Sequence, residues 1–402
     1  MAAPTVVAPT VVAPTVVAQP ARLLTVLVVD DSAVQRRFLR AAIEAEHDLT
    51  VVGEARNGRD AVAMVERLRP GAVLMDLDLP VMNGMDAIER IMARCPTPIL
   101  VYSAFVEGVD ATNAGHALAA GAVDVLAKPG PEDRAPLDAY GAELRRRLRV
   151  ASRVRVITHP RGRLRAAGSP GPALGDPGPV VGRRPLPGRG EQANAERDAN
   201  PVPAQLPVQL IVIGASTGGP QALATLLGEL PGDLGPAILV VQHMAEGFIE
   251  GLAGWLDGLC ALPVAVGENG RRLRPGTVTI APSGLNLIVH QHLRVTTEPP
   301  PPTQYHVPGI DATFLSVARH VGSEVVAVLL TGMGRDGAVG LRALHDHGAR
   351  TVAQDEATSA VYGMPAAAVA LGAADAVLPL GEIGGYLLAT VGVSEPVAEA
   401  GP

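Results

Sequence analysis

Along two separate stretches of the chain, short apolar runs of strand length alternate with segments whose apolar residues recur at three- and four-residue spacing. In the first stretch, about residues 22 to 149, the runs are 24–29, 50–53, 72–75, 99–102 and 123–126, and segments such as 32–46 and 59–68 carry helical periodicity. Five repeats of strand then helix predict a doubly wound α/β domain, its parallel sheet covered on both faces and its loops at the carboxyl ends of the strands. The second stretch, about 208 to 392, has runs at 210–213, 237–241, 278–281, 287–289 and 325–330 with helical segments between several of them. It predicts a second, mainly parallel α/β domain, with an antiparallel hairpin at one side near 286–296.

Between and beyond these stretches the pattern fails. Residues 3–17 repeat Ala-Pro-Thr-Val-Val three times; proline in every copy rules out a membrane-spanning helix, and the start is not basic enough for a signal peptide. Residues 1–21 are expected to form a disordered tail. Residues 151–207 hold 10 Pro and 8 Gly with few large apolar side chains, so about 150–207 should be a Pro/Gly/Arg-rich linker, and 393–402 a flexible tail.

Composition changes the picture little. The 402 residues suffice for two domains with cores of their own, and 48% hydrophobic residues is ordinary for a globular protein. A net charge of −7 argues against nucleic acid as a partner. Cys95 and Cys260 lie far apart without metal-ligand spacing, which fits a cytoplasmic protein without a disulfide framework.

The strand ends of the first domain carry Asp30 and Asp31, Asp76, Ser103 and Lys128. Three carboxylates brought together repel one another, and an oxygen-preferring divalent cation, most simply Mg²⁺, removes that penalty. Asp76 could then attack a phosphoryl donor, with the Ser103 hydroxyl and Lys128 meeting the transferred group. Val-Leu-Val-Val-Asp30-Asp31-Ser, Leu-Met-Asp76-Leu-Asp-Leu-Pro-Val-Met-Asn-Gly84 and Ala-Lys128-Pro129 resemble the receiver domain of two-component response regulators over essentially the whole domain. The resemblance implies a flavodoxin-like fold, Asp76 as phosphate acceptor, Asp30, Asp31 and Asp76 as Mg²⁺ ligands, and Ser103 and Lys128 as sensors of the phosphoryl group. Val125 stands where receivers commonly place an aromatic residue.

In the second domain, the first strand runs into Gly214-Ala-Ser216-Thr217-Gly218-Gly219-Pro220, a tight glycine-rich turn opening a helix. Such a turn can cradle a phosphate or present a serine nucleophile. The Lys-Ser/Thr of a phosphate loop and the G-x-G-x-x-G of a dinucleotide fold are both missing. A serine hydrolase needs a histidine base and a carboxylate at other strand ends; Gln242-His243-Met244 and Thr331-Gly-Met333-Gly-Arg-Asp336-Gly337 supply them. The order Ser, His, Asp differs from the Ser, Asp, His of α/β-hydrolases. These motifs, with Ala353-Gln-Asp-Glu-Ala-Thr-Ser359 and Gly363-Met-Pro365, closely resemble the chemotaxis protein-glutamate methylesterases.

That resemblance implies Ser216 as nucleophile, His243 as general base, Asp336 as its orienting carboxylate, and backbone N–H groups at Thr217 and Met333 as oxyanion donors, with no cofactor in this domain. It also implies deamidation of receptor glutamines, a chemotaxis-type histidine kinase as phosphodonor, and methylated chemoreceptors as substrate, with no membrane insertion. Ala366 and Gly309 depart from the residues the family often has at those positions, Arg and Ser. A non-catalytic adaptor output domain is the alternative function.

Overall fold

In a computed structural model, the described residues are 23–103, 115–129, 137–154, 208–244, 247–304 and 306–392. The repeat tail, nearly all of the expected linker and the C-terminal tail lie outside them.

The first domain is built from β1 (Leu24–Val29), α1 (Ala33–Glu44), β2 (Leu49–Ala55), α2 (Gly58–Leu68), β3 (Ala72–Met75), α3 (Gly84–Arg94), β4 (Ile99–Ser103), β5 (Asp124–Ala127) and α4 (Leu137–Ala151). Its five strands are all parallel, in the order β2-β1-β3-β4-β5. The first three helices start where a short polar side chain takes an otherwise unpaired backbone N–H: Ser32 accepts from Gln35, Asn57 from Asp60 and Asn83 from Asp86. Alternate residues of the central strands face opposite layers. Leu27, Val29, Val73 and Met75 join one apolar cluster, and Val26, Val28 and Leu74 another. Burial on both faces explains why the strands read as continuous apolar runs.

The second domain comprises β6 (Leu210–Ala215), α5 (Gly219–Gly228), β7 (Ala237–Gln242), α6 (Ile249–Asp257), β8 (Val264–Val266), β9 (Val278–Ile280), β10 (Asn286–Val289), β11 (Val295–Glu298), α7 (Ile310–His320), β12 (Val325–Leu329), α8 (Ala338–Asp346), β13 (Arg350–Gln354), α9 (Met364–Ala370), β14 (Ala376–Leu378) and α10 (Leu380–Val391). Seven parallel strands run β14-β13-β12-β6-β7-β9-β8, and β10 with β11 forms the antiparallel hairpin expected near 286–296. Three strands, β8, β13 and β14, extend the sheet at its two ends beyond the runs read from the sequence. The chain leaves β6 toward β7 on one side and returns as β12 on the other, so strand order reverses at β6 and opens a crevice at the carboxyl ends of β6, β7 and β12.

One apolar cluster continues from the first domain into the second, taking in Ala117 and Leu118 with Ile249 and Leu252. Gln221 of α5 donates its amide to the Leu118 carbonyl at 2.8 Å. No helix among the described residues is long and apolar enough to cross a membrane.

Candidate active site and receiver cluster

Ser216 follows β6 and His243 follows β7. Their strands are paired to the end, with Ala215 opposite Gln242, and the His243 N–H donates to the Ala215 carbonyl at 3.0 Å. The buried Gln242 amide fixes both loops at once, donating to the carbonyls of Ser216 at 2.9 Å and His243 at 2.7 Å. The turn after Ser216 requires glycine twice. Gly218 has φ +78°, and a Cβ on Gly219 would lie 2.0 Å from the Gln242 side-chain oxygen. Gly332 is equally constrained, since its Cβ would lie 2.7 Å from that of Ser216.

Asp336 lies in the loop between β12 and α8. Its Oδ2 accepts from His243 Nε2 at 2.8 Å and from the Ile310 N–H at 2.9 Å; its Oδ1 accepts from the N–H groups of Asp311 at 2.9 Å and Gly337 at 3.0 Å. Burial works against the Asp336 charge, but His243 and these backbone donors prevail and hold the carboxyl well below the ordinary range. As a lone residue Asp336 reads as a cap for its own helix. It also caps α7 through both oxygens, and Oδ2 holds the histidine as well.

With Nε2 on Asp336, the remaining ring nitrogen Nδ1 is buried and has no hydrogen-bond partner among the described residues. It is the nitrogen left to take a proton. Ser216 and Thr217 are buried, and among the described residues neither the Thr217 nor the Met333 backbone N–H has an acceptor. The floor is tied by Thr331, whose N–H donates to Gln354 Oε1 at 2.8 Å and whose hydroxyl donates to the Thr217 carbonyl at 3.0 Å. The Gln354 amide in turn donates to the Thr358 carbonyl at 2.9 Å, so the Gln-Asp-Glu-Ala-Thr-Ser segment is a brace beneath the turn.

Two neighbours were not evident from sequence. The His306 ring stacks on His243 with centroids 4.6 Å apart and planes 10° from parallel. Its burial, together with His243 and Arg146, pushes its pKa down to about 4, so it is neutral at pH 7. From the first domain, Arg146 of α4 donates to Met333 Sδ and is paired with Glu143. A lone histidine in a proline-rich loop and an arginine in a charged helical run carry no signal of either placement.

In the first domain, ligand atoms of Asp30, Asp31 and Asp76 all lie within 4.8 Å of one another. Lys128 Nζ is 2.6 Å from Asp76 Oδ2 and 3.1 Å from Asp30 Oδ2. Burial raises the Asp76 pKa, against the pull of Lys128 and reinforced by Asp30. The same two carboxylates hold the Lys128 pKa up against its own burial. Asp30 and Asp76 are buried whereas Asp31 is exposed, so the cluster opens to solvent on one side. Ser103 is buried at the end of β4, where its carbonyl accepts the Lys128 N–H at 2.8 Å. Val125 is fully buried in β5, and the aromatic ring near Lys128 is that of Tyr102, with Nζ 5.2 Å from its centroid.

The two domains together define a response regulator whose output domain is a doubly wound α/β unit with a Ser, His, Asp cleft. The receiver domain family matches residues 26–136 and the CheB methylesterase family residues 211–387. Among similar curated proteins, protein-glutamate methylesterase/protein-glutamine glutaminase 2 of Anaeromyxobacter dehalogenans (strain 2CP-C) is 43% identical over 364 residues, covering 90% of this chain and 95% of that protein. The protein-glutamate methylesterase/protein-glutamine glutaminase of Moorella thermoacetica (strain ATCC 39073 / JCM 9320) is 37% identical, covering 91% and 98%. The solved Thermotoga maritima CheB methylesterase catalytic domain is 36% identical with a TM-score of 0.44, covering 46% of this chain and 98% of that one. The chain belongs to the protein-glutamate methylesterase/protein-glutamine glutaminase family.

Proposed function

We propose that this chain hydrolyses glutamate γ-methyl esters on chemoreceptors, releasing methanol, and deamidates receptor glutamines to glutamate. Ser216 Oγ attacks the ester carbonyl while His243 takes its proton through Nδ1, and Asp336 holds the imidazole in orientation. The N–H groups of Thr217 and Met333 receive the oxyanion, an interaction worth about 3–4 kcal/mol of barrier per donor in related chemistry. His243 returns the proton to the departing methanol, or to ammonia from glutamine. Water then enters by the same base and releases the glutamate. The observation that carries the reading is the His243–Asp336 bond at 2.8 Å beside Ser216, at the reversal of strand order.

The receiver supplies control. Asp30, Asp31 and Asp76 would hold Mg²⁺, which neutralises charge on the incoming phosphoryl group when bound, and the crowding of these carboxylates fits such an ion. Asp76 accepts the phosphoryl group from a chemotaxis-type histidine kinase, and Ser103 and Lys128 respond to it. Arg146 lies against Met333, so α4 covers the cleft from the receiver side. Phosphorylation turns the Asp76 carboxylate into an acyl phosphate that carries about two negative charges, enough to shift a packed interface by a few kcal/mol. A cytoplasmic setting completes the proposal.

Methanol release from methylated receptor membranes, with and without a small phosphodonor, tests both parts. The expected result is release that the phosphodonor stimulates and that Ser216→Ala abolishes. Near-normal release by Ser216→Ala would refute the nucleophile.

A further inference from the structure

We propose that His306 is a positioning residue that fixes the plane of the His243 imidazole, and with it the direction in which Nδ1 meets the Ser216 proton. The inference rests on the hydrolase reading of the cleft. The bond from His243 Nε2 to Asp336 Oδ2 at 2.8 Å fixes one edge of the ring. One hydrogen bond tolerates a wide range of tilt, and the other ring nitrogen, Nδ1, has no partner among the described residues. The tilt must therefore be held from the face of the ring. The His306 ring lies there, its centroid 4.6 Å from that of His243 and its plane 10° from parallel.

The loop that carries His306 is pinned on both sides of it. The Gln304 amide donates to the His306 carbonyl at 2.6 Å and to Asn286 Oδ1 at 2.8 Å, while Asn286 Nδ2 donates back to Gln304 Oε1 at 2.8 Å. Asn286 Oδ1 also accepts the Gly309 N–H at 2.8 Å. Asn286 is buried at the start of β10, so the loop is tied to the antiparallel hairpin. Beyond Gly309 the chain enters α7, where the N–H groups of Ile310 and Asp311 hold Asp336. The stretch that runs from His306 into α7 thus supports the imidazole twice, at its edge through Asp336 and on its face through His306.

The stack acts on charge as well. Burial and the nearby His243 and Arg146 hold the His306 pKa down at about 4, so the ring is neutral at pH 7. The face of a neutral aromatic ring attracts a cation, and His243 becomes a cation when it takes the serine proton. The contact strengthens as the reaction proceeds, so its loss should fall on kcat and spare KM.

The test uses full-length wild type, His306→Phe, which keeps a flat aromatic face, and His306→Leu, which fills the space without one. For each, kcat and KM for methyl ester hydrolysis on receptor membranes are measured with phosphodonor present, below the Tm of every variant, with Ser216→Ala alongside. His306→Phe is expected within about twofold of wild type in kcat and His306→Leu about tenfold below it, with KM unchanged in both. A role in packing alone would make the two variants alike. Equal kcat in the two variants, or an effect confined to KM, overturns the role of His306 while leaving the hydrolase reading intact. Full activity in Ser216→Ala overturns both.

Discussion

The receiver cluster and the catalytic cleft occupy the same place in two similar sheets, the carboxyl ends of central parallel strands, yet they are stabilised in opposite ways. The receiver site is a concentration of charge: three carboxylates within 4.8 Å, answered by the one ammonium of Lys128. It is left with negative charge, and in the proposed reading its state is set by an arriving cation and phosphoryl group. The catalytic cleft is already balanced. Asp336 is satisfied by four donors, the amide of Gln242 and the side chain of Gln354 lock the loops, and the buried Nδ1 of His243 and the N–H groups of Thr217 and Met333 are among the cleft groups that have no partner among the described residues. Parallel-sheet topology brings distant residues together in both domains. Whether the result is a switch or a catalyst depends on whether charge or hydrogen-bond geometry is left incomplete.

The largest expected effect breaks the catalytic half alone. His243→Ala should lower kcat by about 10⁵-fold or more, and Asp336→Asn by about 10⁴-fold, with phosphorylation of Asp76 unaffected; steady-state methanol release and phosphate incorporation measure the two. Gly332→Ala should cost on the order of 10²-fold, because the new methyl displaces Ser216 by a fraction of an ångström from its partners. Conversely, Asp76→Asn should remove all stimulation by a phosphodonor while leaving basal hydrolysis unchanged.

Where the halves meet, effects should be smaller. Arg146→Ala loosens the contact with Met333 and should raise basal hydrolysis a few-fold without phosphodonor. The smallest effect is on stability. Burial opposes the Glu143 charge, but Arg146 and Arg147 win and depress its pKa to about 2. The stabilisation is therefore present above the ordinary carboxylate range and lost as pH falls from about 4.5 toward 2. Glu143→Gln should be less stable than wild type by about 1–2 kcal/mol at pH 7, and the gap in Tm should close toward pH 2–3.

Much of this was legible because both sheets are buried on two faces. A strand such as β1 or β6 must be apolar throughout, so it stands out in the chain, and the polar residue that ends it stands out with it. That is how Asp30, Asp76, Ser216, His243 and Asp336 could be picked from one sequence. The strands that went unread lie at the ends of the second sheet. β13 begins with Arg350 and includes Thr351 and Gln354, while β8 and β14 have three residues each. Gln354 is buried as a brace for Thr331, a use of a polar side chain that hydropathy hides. His306 and Arg146 escaped for a related reason. Each is placed by packing between elements far apart in the chain.

The central claim is that Ser216 forms the bond to substrate. Rapid quenching of the phosphodonor-activated protein with methylated receptor, followed by mass spectrometry of its peptides, tests it directly. The account predicts an acyl adduct on the peptide containing Ser216, appearing with the release of methanol and missing from Ser216→Ala. Methanol released at the same rate by Ser216→Ala, with no adduct on either protein, would contradict it.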